Sequence, residues 1–170
     1  GWGASQKSSL GDIEYFFGDE QLGDFLGKTN ILINVLPLTK DTTNLLEKQE
    51  LQCLPRGSFI INMGRGGIVN EIDLLSLLDE GHITAAAMDV FEQEPVNPEN
   101  PLLSMDNVAT TSHYASYSEI AWERAETQLG EEAVRIATGS FPMSFINSEL
   151  KSKIAPRKPA QIWETYKQTF

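Results

Sequence analysis

Residues 58–67 read Ser-Phe-Ile-Ile-Asn-Met-Gly-Arg-Gly-Gly, an apolar run that enters a glycine-rich turn. A short apolar run bounded by turn residues is typical of a strand in a parallel sheet. Gly64, Gly66 and Gly67 permit a tight turn, and residues 71–80 follow with leucines at helical spacing. The stretch therefore predicts a strand, a turn and a helix, the repeating unit of an α/β fold.

The same alternation extends in both directions along the chain. Further strands are predicted at 30–35, 83–90 and 108–111, and further helices at 20–26, 45–53 and 117–138. Strands that alternate with helices form a parallel sheet, so the sequence predicts half of a Rossmann-like, doubly wound α/β sheet. The last helix is expected to be amphipathic, with one apolar stripe formed by Ile120, Leu129, Ala133 and Ile136.

The tail from residue 141 differs in composition from the rest of the chain. It contains prolines at 142, 156 and 159 and a basic cluster of Lys151, Lys153, Arg157 and Lys158. We therefore expect a partial domain over residues 1–140 and a separate arm over residues 141–170, which extends toward a substrate domain.

Composition and charge indicate which classes of partner, such as nucleic acid or a membrane, are disfavoured. Thirteen Lys and Arg residues against 24 Asp and Glu residues give a formal net charge of −11. Such acidity disfavours nucleic acid, because nucleic-acid affinity depends on neutralising phosphates. The single cysteine, Cys53, excludes an internal disulfide, and no apolar run approaches the roughly 18 residues of a membrane span. Residues 1–5 have no signal-peptide pattern, so we expect a soluble, cytoplasmic protein without a membrane partner.

The carboxyl ends of the predicted strands are where a doubly wound sheet binds ligands. Arg65 lies in the turn after one strand, where its guanidinium can bind a carboxylate through two parallel hydrogen bonds. An ordinary surface arginine is an equally good interpretation of that position. The segments that lie at these ends are 36–39, 63–67, 89–95 and 112–115.

Two carboxylates and one histidine at these ends are candidate catalytic or binding groups. Asp89 ends an apolar strand, where an acid needs a specific partner, whereas acids such as Glu94 more often form a solvated surface. His113 follows a strand among polar and aromatic residues, a position suited to proton transfer. His82 is expected at the opposite end of the sheet and exposed. With no second histidine or cysteine at ligand spacing and no G-x-S-x-G motif, neither a metal site nor a hydrolase is predicted.

The glycine pairs at residues 1 and 3 and at residues 64 and 66 resemble the start of a dinucleotide-binding loop. Neither pair completes G-x-G-x-x-G, because Gln6 and Val69 occupy the position of the last glycine. For the second pair, a tight strand-to-helix turn is the simpler interpretation.

Four ordered motifs together carry a resemblance to a known family. Residues 33–39 read Ile-Asn-Val-Leu-Pro-Leu-Thr, and residues 61–67 read Ile-Asn-Met-Gly-Arg-Gly-Gly. Residues 88–95 read Met-Asp-Val-Phe-Glu-Gln-Glu-Pro, and residues 111–113 read Thr-Ser-His. In this order and spacing they resemble the D-isomer-specific 2-hydroxyacid dehydrogenases, above all the glyoxylate/hydroxypyruvate reductase A branch. The resemblance extends over about residues 1–140 and implies the C-terminal part of an NAD(P)-binding domain.

The resemblance implies reduction of a small 2-oxo acid, such as glyoxylate or hydroxypyruvate, with NADH or NADPH. It assigns Arg65 to the substrate carboxylate and keto oxygen, His113 to the acid that protonates that oxygen, and Glu94 to the partner of the imidazole. Hydride addition builds negative charge on oxygen, which a cation and a proton donor stabilise when they are already in position. A carboxylate beside an imidazole favours the protonated form that such a donor needs.

The resemblance also implies a set of cofactor contacts. Asp89 is expected to accept a hydrogen bond from the nicotinamide carboxamide, and residues 36–39 are expected to line the adenosine side. The full set of implied cofactor-binding residues is Leu36, Pro37, Thr39, Met63, Gly64, Arg65, Asp89, His113 and Ala115.

Several departures from the family pattern limit what the resemblance implies. The G-x-G-x-x-G fingerprint is expected upstream of Gly1 and does not occur in residues 1–170, so the chain is expected to begin within a longer protein. Lys7 is the one basic residue in residues 3–8, where the branch often has arginines that suit a 2′-phosphate, so NADH and NADPH both stay open. Ser112 and Tyr114 replace a proline and an aliphatic residue beside the histidine.

Two alternatives to an active reductase stay open. One is an inactive, truncated relative, and the other is a non-enzymatic module that binds a dinucleotide or a partner. For the complete protein the resemblance implies a homodimer.

Overall fold

The computed structural model describes residues 1–7, 11–150 and 153. The chain forms two compact units, residues 1–115 and residues 116–170. The first unit ends just after the last strand, upstream of the predicted division at residue 140. The prediction of a separate arm over residues 141–170 stays a prediction. Lys151, Arg157, Lys158 and the prolines at 156 and 159 lie outside the described residues.

The first unit contains two parallel sheets. A two-stranded sheet pairs Trp2–Gly3 (β1) with Phe16–Phe17 (β2). A four-stranded sheet has the order β3-β4-β5-β6. Its strands are Ile31–Asn34 (β3), Ser58–Asn62 (β4), Ile83–Met88 (β5) and Val108–Thr110 (β6). The predicted run of four consecutive parallel strands is confirmed, whereas the short strand β2 was not predicted.

Three α-helices belong to the first unit and one to the second. They are Leu22–Gly27 (α1), Lys48–Leu51 (α2), Glu71–Asp79 (α3) and Glu119–Ala137 (α4). Short 3₁₀ turns lie at Asp19–Gln21, Pro101–Ser104 and Ser148–Leu150.

Helix α2 is shorter than the predicted helix over residues 45–53. The reason is that Leu46 forms a parallel bridge with Val69. The Leu46 N–H donates to the Ile68 carbonyl at 3.0 Å, and the Asn70 N–H donates to the Leu46 carbonyl at 3.0 Å. This pairing holds the start of the predicted helix in an extended conformation, and local sequence does not report such long-range pairing.

Helix α3 begins where its sequence predicts and ends one residue before the predicted end. The Asn70 side chain caps its first turn by accepting a hydrogen bond from the Asp73 N–H at 3.0 Å. Gly81 follows the helix with a φ of 62°, the left-handed conformation that ends many helices. Leu74 and Leu77 are fully buried, so the helix packs its apolar side into the core.

The core of the first unit lies on one face of the four-stranded sheet. Leu32, Ile60 and Met88 point to this face and are buried with leucines of α1, α2 and α3. Side chains alternate across a strand, so the next residue along points to the other face. That face is open: Ile33 is 53% exposed, Val35 is 68% exposed, and Ile31 and Phe59 are also exposed.

The second unit is organised around α4. Ser118 caps the helix by accepting a hydrogen bond from the Ala121 N–H at 3.0 Å. The predicted apolar stripe, which includes Ile120, Leu129 and Ile136, is exposed. Over the described part of the chain, none of the helices combines the length and the apolar character needed to span a bilayer.

Candidate active site

The turn after β4 lies against the loops that follow the two neighbouring strands. A Cβ at Gly64 would come within 2.7 Å of the Leu36 carbonyl oxygen, and a Cβ at Gly66 would overlap the Phe91 carbonyl. Gly67 has a φ of 77°, which favours glycine. These glycines therefore permit a tight turn, as the sequence indicated, and they allow the loops after β3 and β5 to approach its backbone.

Arg65 extends from this turn at the carboxyl end of β4. Its side chain is exposed, and Nη1 donates to the carbonyl of the preceding Gly64 at 2.8 Å. This bond fixes one corner of the guanidinium group close to the backbone of the turn.

Asp89 is the buried acid at the end of β5, and its carboxylate holds the loop after β6. Oδ1 accepts hydrogen bonds from the Thr111 hydroxyl at 2.5 Å and from the Tyr114 N–H at 2.7 Å. Oδ2 accepts a hydrogen bond from the Ala115 N–H at 2.9 Å. Burial raises the pKa of Asp89. The three donors and the nearby charge of His113 lower it by more, so the pKa of Asp89 lies below its usual range.

His113 stands in the middle of this loop with a φ of 61°, which is uncommon for a residue other than glycine. Its N–H donates to the Asp89 carbonyl at 2.9 Å, so Asp89 binds the loop through its backbone as well as its side chain. Backbone strain of this kind persists where surrounding contacts impose it, and it is common at functional sites.

Glu94 and His113 form a hydrogen-bonded pair, and both side chains line a cavity. His113 Nδ1 lies 2.9 Å from Glu94 Oε2, and Glu94 Oε1 accepts a hydrogen bond from the Phe91 N–H at 3.1 Å. The hydrogen bond to His113 lowers the pKa of Glu94, with smaller contributions from Phe91 and from the charge of Arg65. Glu94 therefore stays ionised at neutral pH and orients one ring nitrogen of His113.

The cavity beside this pair has a volume of about 500 Å³. Its lining joins Glu94 and His113 to apolar side chains that include Phe91, Val96 and Leu103. Arg65 is not part of this lining, although its charge is close enough to act on Glu94. The structure thus brings two of the three predicted catalytic residues into contact and leaves the third at the neighbouring strand end.

A second cavity of about 250 Å³ lies at the ends of β4, β5 and β6, and Met63, Asp89 and Ala115 line it. Asn62 also lines it and is 1% exposed. Its Oδ1 accepts a hydrogen bond from Asn34 Nδ2 at 2.9 Å, whereas its own Nδ2 has no partner among the described residues. A buried amide donor without a partner is costly, so this atom marks a place where a polar ligand group would be stabilised.

Sequence reasoning missed the pair formed by Asn34 and Asn62. The two residues end adjacent strands and are register partners. Asn34 Oδ1 also accepts a hydrogen bond from the Leu36 N–H at 3.1 Å, so the pair fixes the start of the loop after β3. An asparagine at the end of each of two apolar strands is the signal that could have revealed the pair.

The loop after β3 contains the remaining predicted cofactor residues, Leu36, Pro37 and Thr39. Thr42 organises this loop: its hydroxyl donates to the Pro37 carbonyl at 2.7 Å and accepts from the Thr39 N–H at 2.7 Å. Leu36 lines a separate cavity that it shares with Trp2. The predicted cofactor residues therefore lie along one edge of the sheet, from β3 to β6.

His82 does not match its prediction in full. It lies just before β5, at the opposite end of the sheet from His113, as expected. It is half-buried rather than exposed: its N–H donates to the Leu77 carbonyl at 2.9 Å, its carbonyl accepts from the Gly57 N–H at 2.8 Å, and its ring Nε2 is buried without a hydrogen-bond partner among the described residues. Within the described ranges, no group of three His, Cys, Asp or Glu residues is arranged to hold a metal ion.

Comparisons with known proteins show which family this chain is similar to. Residues 3–115 match the family model described as D-isomer specific 2-hydroxyacid dehydrogenase, NAD binding domain. Over 120 residues the chain is 42% identical to glyoxylate/hydroxypyruvate reductase A of Salmonella newport, an alignment that covers 71% of this chain and 38% of that protein.

Solved structures show the same similarity. A D-isomer specific 2-hydroxyacid dehydrogenase from Xanthobacter autotrophicus Py2, in complex with NADPH and MES, matches with a TM-score of 0.73 and 39% identity over 84% of this chain and 57% of that one. An NADPH-dependent glyoxylate/hydroxypyruvate reductase from Sinorhizobium meliloti, in complex with NADP and sulfate, matches with a TM-score of 0.72 and 31% identity over 86% and 46%. The chain spans about two fifths of the length of the curated relative.

Proposed function

This chain belongs to the D-isomer specific 2-hydroxyacid dehydrogenase family, and from that premise we propose that it carries the proton-transfer half of an NAD(P)-dependent reductase. The substrate class is a small 2-oxo acid such as glyoxylate or hydroxypyruvate, which is reduced to the 2-hydroxy acid. The observation that carries the proposal is the 2.9 Å contact between Glu94 and His113 at the carboxyl edge of the sheet.

In this mechanism His113 protonates the keto oxygen of the substrate. Glu94 holds Nδ1, so Nε2 is the ring nitrogen that is left to donate the proton. NAD(P)H, when bound, supplies the hydride that adds to the carbonyl carbon. Arg65 binds the substrate carboxylate and stabilises the negative charge that develops on the oxygen as the hydride arrives.

The residues at the strand ends fit the nicotinamide end of the cofactor. A carboxylate offers about four acceptor positions, and the three hydrogen bonds from the loop leave Asp89 Oδ2 with one more for a carboxamide N–H. Asn62 lines the same cavity, and its buried Nδ2 is a donor without an acceptor among the described residues. Met63, Gly64 and Ala115 would form the apolar and backbone surroundings of that end.

The sequence of residues 1–170 contains no glycine fingerprint for the pyrophosphate end of the cofactor. That group normally rests on backbone N–H groups at a glycine-opened helix N-terminus, and neither glycine pair completes the fingerprint. We therefore expect the isolated chain to bind the cofactor weakly and to lack reductase activity. The complete protein is expected to be a cytoplasmic homodimer, and the acidity of residues 1–170 speaks against a nucleic-acid partner of this part of it.

A chimera tests this function. Residues 3–115 would replace the matching segment of the Salmonella newport reductase, and oxidation of NADH and NADPH would be followed with glyoxylate and with hydroxypyruvate. We expect substrate-dependent oxidation of at least one cofactor. A folded chimera that binds cofactor but oxidises none with either substrate would contradict the proposal.

A further inference from the structure

Glu71, the first residue of α3, is joined to the loop after β5 by two reciprocal hydrogen bonds. Its Oε1 accepts a hydrogen bond from the Glu92 N–H at 2.5 Å, and its own N–H donates to Glu92 Oε1 at 2.9 Å. Each glutamate therefore uses its side chain to bind the backbone of the other. The second oxygen of Glu71, Oε2, accepts a hydrogen bond from Asn100 Nδ2 at 2.7 Å, so one carboxylate holds two separate points of the loop.

The peptide unit between Phe91 and Glu92 is fixed at both of its polar groups. Its N–H belongs to Glu92 and is bound by Glu71. Its carbonyl belongs to Phe91 and lies against Gly66, where an added Cβ would overlap the carbonyl oxygen. A planar peptide unit that is held at both groups cannot rotate without losing one of these contacts. The conformation of the loop at this point is therefore set by α3 and by the turn that carries Arg65.

The backbone next to this peptide unit holds Glu94. The N–H of Phe91 donates to Glu94 Oε1 at 3.1 Å, and Glu94 Oε2 lies 2.9 Å from His113 Nδ1. Only the two soft dihedral angles of Phe91 separate its N–H from the fixed peptide unit. A movement of that unit therefore changes where Glu94 is held and how it meets His113, its partner in the proposed proton-transfer pair.

The bond from Glu71 to Asn100 leads to the cavity beside the same pair. Asn100 Oδ1 accepts a hydrogen bond from the Leu102 N–H at 3.0 Å and so caps the 3₁₀ turn Pro101–Ser104. Leu103 of this turn lines the cavity of about 500 Å³ that the proton-transfer pair also lines. Glu71 is thus bonded to two loop segments that contribute side chains to this cavity.

We propose that Glu71 is a positioning residue of the reductase, which sets how Glu94 meets His113. The inference rests on the proposed function, because the reductase reaction is what makes the position of Glu94 important. Glu71 belongs to the same turn and helix as Arg65, so its bonds to the loop also fix the arginine relative to the proton-transfer pair. A displacement of about 1 Å caused far from the reacting atoms can lower a rate about 10²-fold, so the effect on turnover is measurable.

The pKa of Glu94 reports whether the loop holds this carboxylate in place. The hydrogen bond to His113 is the largest cause that lowers the pKa of Glu94, and the hydrogen bond from the Phe91 N–H is the next. If Glu71 is removed and the loop moves, both bonds weaken and the pKa of Glu94 should rise toward its usual value. Loss of the negative charge of Glu71 would by itself lower the pKa of Glu94, because like charges disfavour ionisation. Loss of position and loss of charge therefore predict shifts of opposite sign.

Carbon-13 NMR of the 170-residue chain, labelled at the glutamate carboxyl groups, tests the proposal without any enzymatic activity. The Glu94 signal is assigned with Glu94→Gln and is titrated in the unmodified chain and in Glu71→Ala. We expect the pKa of Glu94 to be higher in Glu71→Ala than in the unmodified chain. An unchanged or lower pKa of Glu94 would overturn the proposal, because the position of this carboxylate would then not depend on Glu71.

Glu99→Ala is the matched control. Glu99 is an acid of the same loop and lines the same surface cavity as Glu71 and Glu92, but its side chain makes no hydrogen bond or ion pair with a described residue. Its replacement should leave the pKa of Glu94 unchanged or slightly lower. A rise as large as that in Glu71→Ala would contradict a specific role of Glu71.

Glu71→Asp keeps the test decisive if Glu71→Ala does not fold. Aspartate retains the negative charge that favours the start of a helix, but its side chain is shorter and withdraws the carboxylate from the Glu92 N–H. The pKa of Glu94 should therefore rise in this variant as well. A folded Glu71→Asp variant with the pKa of Glu94 unchanged would equally overturn the proposal.

Turnover of the reductase chimera provides the second measurement. Glu71→Ala should lower kcat by about ten- to a hundredfold while the affinity for NADPH stays nearly unchanged, and Glu99→Ala should keep the kcat of the chimera. Full turnover in Glu71→Ala would contradict the positioning role. A chimera that is inactive with every residue in place would instead overturn the proposed function, and the NMR titration would still decide whether Glu71 holds Glu94.

Discussion

At the level of single residues, Asp89 joins the end of β5 to the loop that carries His113. Its carboxylate accepts three hydrogen bonds from this loop, and its backbone carbonyl accepts a fourth, from the His113 N–H. The position of His113, the proposed proton donor, therefore depends on a residue that the sequence analysis singled out for another reason, its expected contact with the nicotinamide. One carboxylate can serve both purposes because three bonds do not exhaust its acceptor positions.

Asp89→Asn should make the first unit less stable, most clearly at neutral pH. The asparagine side chain keeps one acceptor oxygen, but its NH₂ group replaces the other oxygen and cannot accept the hydrogen bonds made there. The variant should therefore lose about 1–3 kcal/mol of unfolding free energy. Chemical denaturation of the two proteins at pH 7 measures the difference. Equal stability would show that the loop is held by other contacts.

The pH dependence of this effect has a defined sign. The folded pKa of Asp89 is lowered, so its contribution to stability is present above the ordinary aspartate pKa and is lost as pH falls through the lower folded value. The unfolding free energy of the unmodified chain should therefore fall from about pH 5 downward, and that of Asp89→Asn should fall less steeply. If the unfolding free energies of the two proteins fell with pH at the same slope, the charge of Asp89 would not be what stabilises the loop.

Arg65→Lys tests the arginine in the reductase chimera. Lysine keeps the charge but lacks the planar fork that binds a carboxylate through two hydrogen bonds. We expect kcat/KM for the 2-oxo acid to fall far more than the affinity for the cofactor, measured by NADPH fluorescence. A similar loss in both quantities would indicate a role in cofactor binding or folding instead.

At the level of elements, the site depends on the close contact between the turn after β4 and the loop after β5. A Cβ at Gly66 would overlap the Phe91 carbonyl, so Gly66→Ala should lower the unfolding free energy by about 1–3 kcal/mol. Gly23, inside α1, has no atom within 4 Å of an added Cβ, so Gly23→Ala is the matched control and should stabilise the chain by about 0.5–1 kcal/mol. Thermal unfolding of both variants measures these changes, and a neutral Gly66→Ala would mean that the two loops can separate without cost.

The strands of the larger sheet could be predicted because each is an apolar run between turn residues. Strand β2 escaped prediction because it has only two residues and depends on its pairing with β1. The pair of Asn34 and Asn62 escaped because it depends on register, which no single strand reveals. The contact of Glu94 with His113 spans 19 residues, and it was anticipated from resemblance to a family rather than from local pattern.

At the level of the whole molecule, the chain holds the carboxyl edge of a sheet but not the glycine fingerprint for a pyrophosphate. The 170-residue chain alone should therefore bind NADH and NADPH very weakly, and fluorescence titration measures this affinity. Its open sheet face, with Ile31, Ile33, Val35 and Phe59 exposed, should also promote self-association. A dissociation constant in the low micromolar range for a monodisperse monomer would contradict this expectation.

The most direct test of the account is the turnover of the reductase chimera with and without His113. Steady-state oxidation of the preferred cofactor would be measured with glyoxylate and hydroxypyruvate for the chimera and for its His113→Gln variant. We expect kcat to fall by roughly 10²–10⁴, the usual contribution of a general acid, while cofactor affinity stays nearly unchanged. A His113→Gln variant that keeps the full turnover rate would contradict the assignment of His113 as the proton donor.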